Sequence, residues 1–318
     1  MTEEQREKGK ETLVEGALRE KIEILSVELL TQHRPLVNEL KSLARSLNLD
    51  FGWHYLLDLT WIINNLGTIQ DRRILDAGAG TGVIQWYLAE QGATVISADR
   101  VSRADLPLRF RRRFRVSGYR TEDLLPTRQL IAAQYQKPSP LRVKVSSLAR
   151  DLTSLANTNL SSGQVMIYNQ DLTHLSEIDD NSIDAVAAVS ALEHNTPEVL
   201  GTVAIELKRV LKPGGVLLAT LGAARDQDWY HEPSSGWCYT DASLRQAFGL
   251  AEDAPSNYDH YDELFTKLMD CTELRKNLAR FYFQSGDNGM PWGQWDPQYQ
   301  PVGVFWEKLG IHNEYKPN

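Results

Sequence analysis

The fold is indicated by one stretch, which reads ILDAGAGTGVIQWYLAEQGATVISAD over residues 74–99. Residues 74–77 predict a short buried strand that runs directly into residues 78–82, which include three glycines. A helix follows, Gly92 ends it, and residues 94–99 predict a second strand. Because the connections are so short, we expect the two strands to be parallel neighbours.

The same alternation continues further along the chain. Strands are predicted at residues 165–168, 183–189 and 216–220, with a helix between the last two. Residues 212–215 (KPGG) are expected to turn the chain back before the last of these, and residues 301–305 predict a final strand. Strands that alternate with helices predict an α/β fold with a doubly wound parallel sheet.

Two regions fall outside this alternation. Residues 1–70 look helical, because leucines recur there at spacings of three and four, at Leu36, Leu40, Leu43 and Leu47. Residues 101–163 are too long for a simple crossover and predict an insertion after the second strand. We therefore expect a helical N-terminal cap at 1–70 and a larger domain at 71–318 that carries the insertion.

Composition limits the class of protein. The 318 residues are 42% hydrophobic and 24% charged, and no apolar run reaches the roughly 20 residues that span a bilayer. The first residues lack the apolar core of a secretory signal. Cys238 and Cys271 predict two reduced thiols, with neither a disulfide framework nor a metal cluster. We expect a cytoplasmic protein with no membrane partner and no metal.

Charge is unevenly distributed along the chain. The net charge is −8, and a field of that sign argues against a protein that coats nucleic acid. The insertion, however, is basic, and residues 109–115 (RFRRRFR) interleave arginines with aromatic residues. This pattern leaves open an RNA patch, an anionic substrate, an oligomer interface, or a solvated helix face that pairs with acidic regions. Nucleic acid is disfavoured but not excluded, and a homo-oligomer stays open.

The glycine-rich turn is typical of a ligand-binding loop at the carboxyl end of a strand. A dinucleotide loop reads G-x-G-x-x-G, but here Gly78 and Gly80 are followed by Val83 at the third position. Asp76 just before the loop would repel a pyrophosphate, whereas it would attract the ammonium and sulfonium of S-adenosylmethionine. Asp99 at the tip of the second strand suits the ribose hydroxyls of either ligand.

With these residues the chain resembles the class I S-adenosylmethionine-dependent methyltransferases. The family's motif D-x-G-x-G-x-G is matched in full over residues 76–82, and its ribose-binding acid matches Asp99. Its adenine-binding acid after the third strand matches Asp171, with Leu172 against the adenine. Residues 190–194 (SALEH) and 211–215 (LKPGG) resemble the small-molecule enzymes of the ubiquinone-biosynthesis type.

The resemblance implies S-adenosylmethionine as cofactor and ten residues that hold it. These are Asp76, Gly78, Ala79, Gly80, Gly82, Asp99, Arg100, Asp171, Leu172 and Ser190. The implied reaction is an in-line attack of an acceptor atom on the sulfonium methyl group, in which the protein mainly aligns the reactants and excludes water.

Candidates for catalysis and acceptor binding follow from position. His194, after the fourth strand, is the best candidate base, and His231 and Glu232 lie in the loop after the fifth strand that commonly faces the acceptor in this family. Aromatic walls are expected from Tyr55, Trp229, Trp237 and Tyr239. A magnesium-dependent catechol-type mechanism is disfavoured, because the positions of its acids hold Ser190 and residues 221–224 (LGAA).

We therefore expect a Rossmann-like, doubly wound, mostly parallel sheet of seven strands, with a helical N-terminal extension and a long insertion after the second strand. The expected function is methyl transfer from S-adenosylmethionine to a small-molecule acceptor, favoured because the chain's ending is rich in Trp and Tyr. An RNA methyltransferase that uses the insertion is the first alternative. A nicotinamide-dependent oxidoreductase and a non-catalytic S-adenosylmethionine-binding protein are the alternatives from other classes.

Overall fold

The computed structural model describes residues 19–136, 161–276 and 294–309. Within these ranges the strands form one sheet. They are β1 (Glu20–Ile24), β2 (Arg73–Ala77), β3 (Thr94–Asp99), β4 (Arg115–Gly118), β5 (Gln164–Asn169), β6 (Ile183–Val189), β7 (Leu211–Ala223), β8 (Trp229–His231), β9 (Gly236–Tyr239) and β10 (Gln300–Glu307).

The helices follow the strands in alternation over most of the described chain. They are α1 (Leu29–Gln32), α2 (Arg34–Leu47), α3 (Tyr55–Leu66), α4 (Ile84–Glu90), α5 (Leu108–Arg113), α6 (Thr127–Gln136), α7 (Pro197–Val210), α8 (Asp241–Phe248), α9 (Tyr261–Met269) and α10 (Thr272–Lys276). Short 3₁₀ turns occur at Thr121–Asp123, Leu192–His194, Glu232–Ser234 and Tyr258–His260. In the described part of the chain, no helix is both long and apolar enough to cross a membrane.

The sheet is mostly parallel, as the sequence predicts. Its main path runs β1-β10-β7-β6-β2-β3-β5-β4, and the six strands from β7 to β4 pair in parallel. β10 is antiparallel to both of its neighbours, and β8 and β9 form a hairpin beside the end of β7. The described residues thus form ten strands rather than the expected seven.

The first correction concerns the N-terminal region. Residues 20–24 form β1, which pairs antiparallel with β10, so the region is not helical throughout. The period-two pattern of a strand is present, because Ile22 and Ile24 are buried while Glu23 between them is partly exposed. The leucine stripe correctly predicts α2, in which Leu40, Leu43 and Leu47 are buried.

The second correction concerns the insertion and the fifth predicted strand. Residues 115–118 form β4, which extends the sheet beyond β5, and residues 137–160 of the insertion lie outside the described ranges. β7 already begins at Leu211 and runs through the predicted KPGG turn, where Gly214 has a φ of 77°. The pairing of β6 with β7 shifts register there, so an irregular strand replaces a turn.

Two hydrophobic layers hold the sheet between them. One face packs against α2 and α3 together with Trp86 of α4, and the other packs against α7 and α8. The N-terminal helices share one apolar cluster with the sheet, and α3 lies directly against β6, β7 and β10. This packing places the start of α3 next to the carboxyl ends of the central strands.

Candidate functional site

A cavity of about 600 Å³ opens at the carboxyl ends of the central strands β2, β3 and β6. The chain passes from β2 to β3 on one side and returns to β6 on the other, so the cavity lies where the strand order reverses. Its lining residues come from five segments within 48–59, 76–84, 99–101, 171–172 and 189–195.

The glycine loop between β2 and α4 forms the floor of the cavity. Gly78 and Gly80 have φ angles of 76° and 46°, a region that favours glycine. A Cβ atom at Gly78 would lie 2.4 Å from the Cβ of Ala191, so the loop and the turn after β6 can approach only without a side chain. The Gly80 N–H donates to Asp99 Oδ2 at 2.7 Å, which ties the loop to the tip of β3.

Asp99 is held rigidly at this tip. Its Oδ2 accepts from the Gly80 N–H, and its Oδ1 accepts from the Val101 N–H at 2.7 Å. Each carboxylate oxygen retains a second lone pair, and the residue lines the cavity. The arrangement fits two hydroxyl donors on one ligand.

Asp76, near the end of β2, is fully buried, and its Oδ2 atom has no hydrogen-bond partner among the described residues. Burial raises the pKa of Asp76 to about 7; the Arg103 guanidinium opposes this rise, and the Asp99 carboxylate adds to it. An orphaned carboxylate oxygen on the wall of a cavity fits a cationic donor such as an ammonium group.

Arg103 comes from the insertion and lies beneath the glycine loop. Its buried side chain donates to the Gly80 carbonyl at 3.2 Å, to Ser97 Oγ at 2.5 Å and to the Ser97 carbonyl. Ser97 Oγ donates in turn to Gln85 Oε1 at 2.7 Å, and Gln85 Nε2 donates to the Gly82 carbonyl at 3.1 Å. One polar network therefore fixes the loop at two of its carbonyls.

The segment after β5 supplies a further wall. Asp171 Oδ1 accepts from the backbone N–H and the hydroxyl of Thr173 at 2.8 and 2.7 Å, and these bonds hold the pKa of Asp171 below its usual value. Leu172 lies beside it on the same wall, and Arg100 lines the cavity from the end of β3. All ten residues predicted to hold the cofactor line this one cavity.

Two of the residues predicted to act on the acceptor also reach the cavity, namely Tyr55 at the start of α3 and His194 after β6. The His194 ring is exposed, and its Nδ1 lies 2.9 Å from the Ser235 carbonyl oxygen. Since a carbonyl only accepts, Nδ1 carries the proton in this bond and Nε2 keeps its lone pair for another donor.

The remaining acceptor candidates do not line the cavity. The expected loop after β7 is instead the β8–β9 hairpin, and four of its residues lie outside the cavity lining: Trp229, His231, Trp237 and Tyr239. Glu232, in the turn of the hairpin, is exposed.

Side-chain packing explains where the aromatic residues of the hairpin lie. His231 is buried with its Nδ1 2.7 Å from Ser234 Oγ, and burial lowers its pKa. Tyr239 is fully buried and donates its hydroxyl to the Asn195 carbonyl at 2.9 Å. Trp229 and Trp237 are partly buried against the two apolar clusters, so part of their apolar surface is removed from water by packing on the core.

Sequence reasoning missed a buried polar cluster behind the cavity. His54, just before α3, has its Nδ1 2.6 Å from Oδ2 of Asp58 in the helix, and Ser190 donates to Glu193 Oε1 at 2.5 Å across the turn after β6. All four residues are buried. The available signals were an acid inside the otherwise apolar run of α3 and the glutamate next to His194.

Three arginines of the insertion make contacts within the fold. Arg111 donates to three backbone carbonyls, Arg113 pairs with Glu90 at 2.7 Å, and Arg120 pairs with Asp123 at 2.9 Å. These contacts favour the internal-pairing interpretation for these residues. Lys137, Arg142, Lys144 and Arg150 of the insertion lie outside the described ranges.

Comparison with known proteins gives one family match. The family model described as a methyltransferase domain matches residues 130–219, which include β5, β6, α7 and most of β7. No curated protein matches the sequence.

Several solved structures are similar over most of the chain. The 1,6-didemethyltoxoflavin-N1-methyltransferase of Burkholderia thailandensis, solved with bound 1,6-didemethyltoxoflavin and S-adenosylhomocysteine, is 13% identical over 88% of this chain and 89% of its own, with a TM-score of 0.42. The 4+2 cyclase SpnF is 17% identical over 92% and 100%, with a TM-score of 0.45. The geranyl diphosphate C-methyltransferase of Streptomyces coelicolor A3(2) is 14% identical over 79% and 76%, with a TM-score of 0.39.

Proposed function

We propose that this chain is a class I S-adenosylmethionine-dependent methyltransferase, which transfers a methyl group from that cofactor to a small molecule bound in the same cavity. The observation that carries the proposal is the convergence of the glycine loop, Asp76 and Asp99 with the start of α3 and the turn after β6 on one cavity. The glycine loop and the two aspartates suit the cofactor. The start of α3 and the turn after β6 leave room for an acceptor beside it.

The residues present fit the cofactor by charge and by hydrogen-bonding capacity. The orphaned Oδ2 of Asp76 would accept from the amino group of the methionine part, and the free lone pairs of Asp99 would accept from the two ribose hydroxyls. Asp171 and Leu172 would meet the adenine. When bound, S-adenosylmethionine supplies a methyl group on a sulfonium, whose charge already activates the leaving group.

The charge of the site supports a cationic ligand rather than a dinucleotide. Two carboxylates, Asp76 and Asp99, face one guanidinium, Arg103, so the ionised group carries one net negative charge. A pyrophosphate would meet repulsion here, whereas a ligand with one net positive charge is attracted. A nicotinamide-dependent oxidoreductase is therefore disfavoured by the site itself.

The chain's own contribution to the reaction is to align the two reactants and to exclude water. Residues 48–52 and Tyr55 cover the cavity opposite the glycine loop, and Leu59 adds an apolar surface. His194, with Nε2 free to accept, is placed to take a hydrogen bond or a proton from the acceptor at the exposed end. The candidates on the hairpin, His231, Glu232, Trp229, Trp237 and Tyr239, stay predictions without support from this cavity.

Calorimetric titration tests the proposal. The protein is titrated with S-adenosylmethionine, S-adenosylhomocysteine and NADH, for the wild type, for Asp99→Ala and for the surface control Asp179→Ala. We expect micromolar binding of the first two ligands, no binding of NADH, and an affinity that falls at least tenfold in Asp99→Ala only, because a charge-assisted hydrogen bond contributes about 1.5–3 kcal/mol. Binding of NADH alone would refute the proposal.

A further inference from the structure

The cavity has a side that the predicted cofactor contacts reach only at Ser190. It is formed by lining residues within 48–59 and 189–195, which we call the acceptor wall. The apolar part of this wall is lined by Leu49, Phe51, Tyr55, Leu59 and Val189. Its edge is polar, because Asp50 and His194 also line the cavity and both are exposed. A ligand on this wall therefore meets an apolar surface and two groups that attract hydrogen-bond donors.

The segment that carries Asp50 is fixed at both of its ends. Asn48 follows the last residue of α2 in the left-handed conformation, with a φ of 51°, and its N–H donates to two carbonyls of the last helical turn. At the other end, a Cβ atom on Gly52 would lie 2.6 Å from the ring of Tyr55, so the backbone packs directly on that ring. The place of Asp50 at the edge of the cavity is therefore set by α2 and α3.

The charged groups beneath the cofactor side of the cavity balance the cofactor. Asp76 and Asp99 face Arg103, and together they keep one net negative charge when ionised. S-adenosylmethionine carries one net positive charge, so the bound cofactor leaves no charge over at this place.

The charged side chains on the wall after β5 balance each other. Arg100 is the only lysine or arginine among the described residues that line the cavity. The pKa of Asp171 is lowered first by the hydrogen bonds from Thr173 and then by the Arg100 guanidinium, although burial opposes the fall. Arg100 and Asp171 are thus close enough for their opposite charges to compensate.

The Asp50 carboxylate is left without a compensating charge. It forms no ion pair and no side-chain hydrogen bond with any residue that the structure describes. Because an unscreened charge acts over the width of a cavity, this carboxylate favours a second ligand that is positively charged.

Two buried acids behind the acceptor wall add to the negative field. Asp58 and Glu193 are both buried, and Oε2 of Glu193 has no hydrogen-bond partner among the described residues. Burial, followed by negative charge on Glu193 and on Asp58, raises the pKa of Tyr55 on the wall itself. Burial also raises the pKa of both acids, so a positive charge on the wall would favour their ionised forms.

We propose that the acceptors of this cavity are small amines that carry a positive charge on an apolar body, and that Asp50 is the residue that selects them. This inference rests on the proposed function, since it concerns the second substrate of the same cavity. The ammonium would lie against the Asp50 carboxylate, and the apolar body would pack on Phe51 and Tyr55. Recognition of this kind adds no chemical step to the methyl transfer. Phosphate esters, carboxylates and nucleic acid would be repelled by the same carboxylate.

The size of the effect follows from the exposure of Asp50, since water and salt screen an exposed charge. A contact between exposed charges changes a binding constant by up to about fivefold. An amine gains this factor and a carboxylate of the same shape loses a similar one, so their affinities should differ by roughly tenfold. The difference should shrink with added salt, because the Debye length falls from about 10 Å at 0.1 M to about 3 Å at 1 M ionic strength.

The first test compares three probes that share one phenyl body and differ in charge. Phenethylamine is a cation near neutral pH, phenethyl alcohol is neutral and hydrocinnamate is an anion. Their dissociation constants are measured by ligand-observed NMR on the protein saturated with S-adenosylhomocysteine. In the wild type we expect phenethylamine to bind roughly tenfold more tightly than hydrocinnamate, with phenethyl alcohol between them.

The second test changes the charge on the protein. Asp50→Asn should bring the three dissociation constants within about twofold of one another, and Asp50→Lys should make hydrocinnamate the tightest of the probes. Asp179→Asn removes an exposed carboxylate outside the cavity lining and should behave as the wild type. Phe51→Leu should weaken all three probes by a similar factor, because it alters the surface for the shared body. The affinity for S-adenosylhomocysteine should stay within about twofold in both Asp50 variants, since Asp50 is not among the predicted cofactor contacts.

The third test measures methyl transfer from S-adenosylmethionine to matched amines, carboxylates and phosphate esters. In the wild type we expect amines to be methylated, with a KM that rises about fivefold in Asp50→Asn and a kcat that changes little. A loss of folding in the variant would instead lower the rate without changing the KM.

Three results would overturn the proposal: hydrocinnamate that binds the wild type as tightly as phenethylamine, a ratio of affinities that Asp50→Asn leaves unchanged, or methyl transfer to carboxylates or phosphate esters with none to amines. A wild type that binds S-adenosylhomocysteine but none of the three probes would overturn the acceptor class. A wild type that fails to bind S-adenosylhomocysteine would refute the proposed function instead.

Discussion

The replacement Asp76→Asn separates the stability of the protein from its affinity for the cofactor. Burial, with a smaller contribution from the Asp99 carboxylate, raises the pKa of Asp76 from 3.8 to about 7 in the folded protein, although Arg103 opposes the rise. Because one pKa unit corresponds to about 1.4 kcal/mol, the ionised carboxylate destabilises the empty fold by about 4 kcal/mol above pH 7. The cause is a charge held in a buried position with one oxygen orphaned.

The sign of the pH dependence follows from the raised pKa. The folded protein binds the Asp76 proton more tightly than the unfolded chain, so this contribution to stability is complete below about pH 4 and is lost as the pH rises through about 7. Asparagine carries no such proton. We therefore expect Asp76→Asn to unfold at a higher denaturant concentration than the wild type at pH 8, with the advantage disappearing towards pH 4.

Cofactor binding should move in the opposite direction. In the wild type, the affinity for S-adenosylmethionine should fall about tenfold for each pH unit below 7, because the carboxylate must be ionised to accept from an ammonium. Close to one proton should be released on binding at pH 6, which calorimetry in two buffers of different ionisation enthalpy detects. Asp76→Asn should bind about 10–100-fold more weakly at pH 8, with no proton release.

Two results would refute this reasoning. One is an Asp76→Asn protein that is less stable than the wild type at pH 8, and the other is a wild-type affinity that does not vary between pH 5 and 8. Asp179→Asn, on an exposed loop, serves as the control and should leave both the stability and the affinity unchanged.

The other predictions concern the glycine loop, the arginine beneath it and the packing of β10 against α3. Gly78→Ala should abolish binding of S-adenosylhomocysteine in calorimetry while the protein stays folded by circular dichroism, since its Cβ would lie 2.4 Å from a methyl carbon of the turn after β6. Arg103→Gln should shift the pH midpoint of cofactor binding upward, because Asp76 loses its nearby positive charge; Arg103→Lys should restore part of the shift. Gly303→Ala should lower the free energy of unfolding by about 1–3 kcal/mol, because its Cβ would lie 2.6–2.7 Å from the ring of Trp61; an unchanged denaturation midpoint would contradict this packing.

The cofactor side of the site could be predicted from the sequence because its signals are local. A strand, a glycine turn and the tip of the next strand follow one another within residues 74–99, and parallel pairing brings them to one edge of the sheet. Asp171 follows a strand that pairs with β3, so its place at the same edge is a consequence of the same rule.

The acceptor side depends on tertiary contacts that no local pattern specifies. Tyr55 lines the same cavity as Ser190, more than a hundred positions later, only because α3 packs against β6 and β7. Arg103 belongs to the basic insertion, and its burial beneath the glycine loop is a tertiary contact that the local sequence does not indicate. The β8–β9 hairpin was taken for a loop because each strand has only three or four residues.

The pairing of β1 with β10 joins the two ends of the described chain. Ile22 lies opposite Val304, so this edge of the sheet cannot close until β10, some 280 positions after β1, has been synthesised. At synthesis rates of roughly 5–20 residues per second, the N-terminal segment that later covers the cavity waits for tens of seconds without its final neighbour. During that interval the buried face of α2, with Leu40, Leu43 and Leu47, lacks part of the core that covers it in the finished fold. Truncation of the last strand should therefore expose the first.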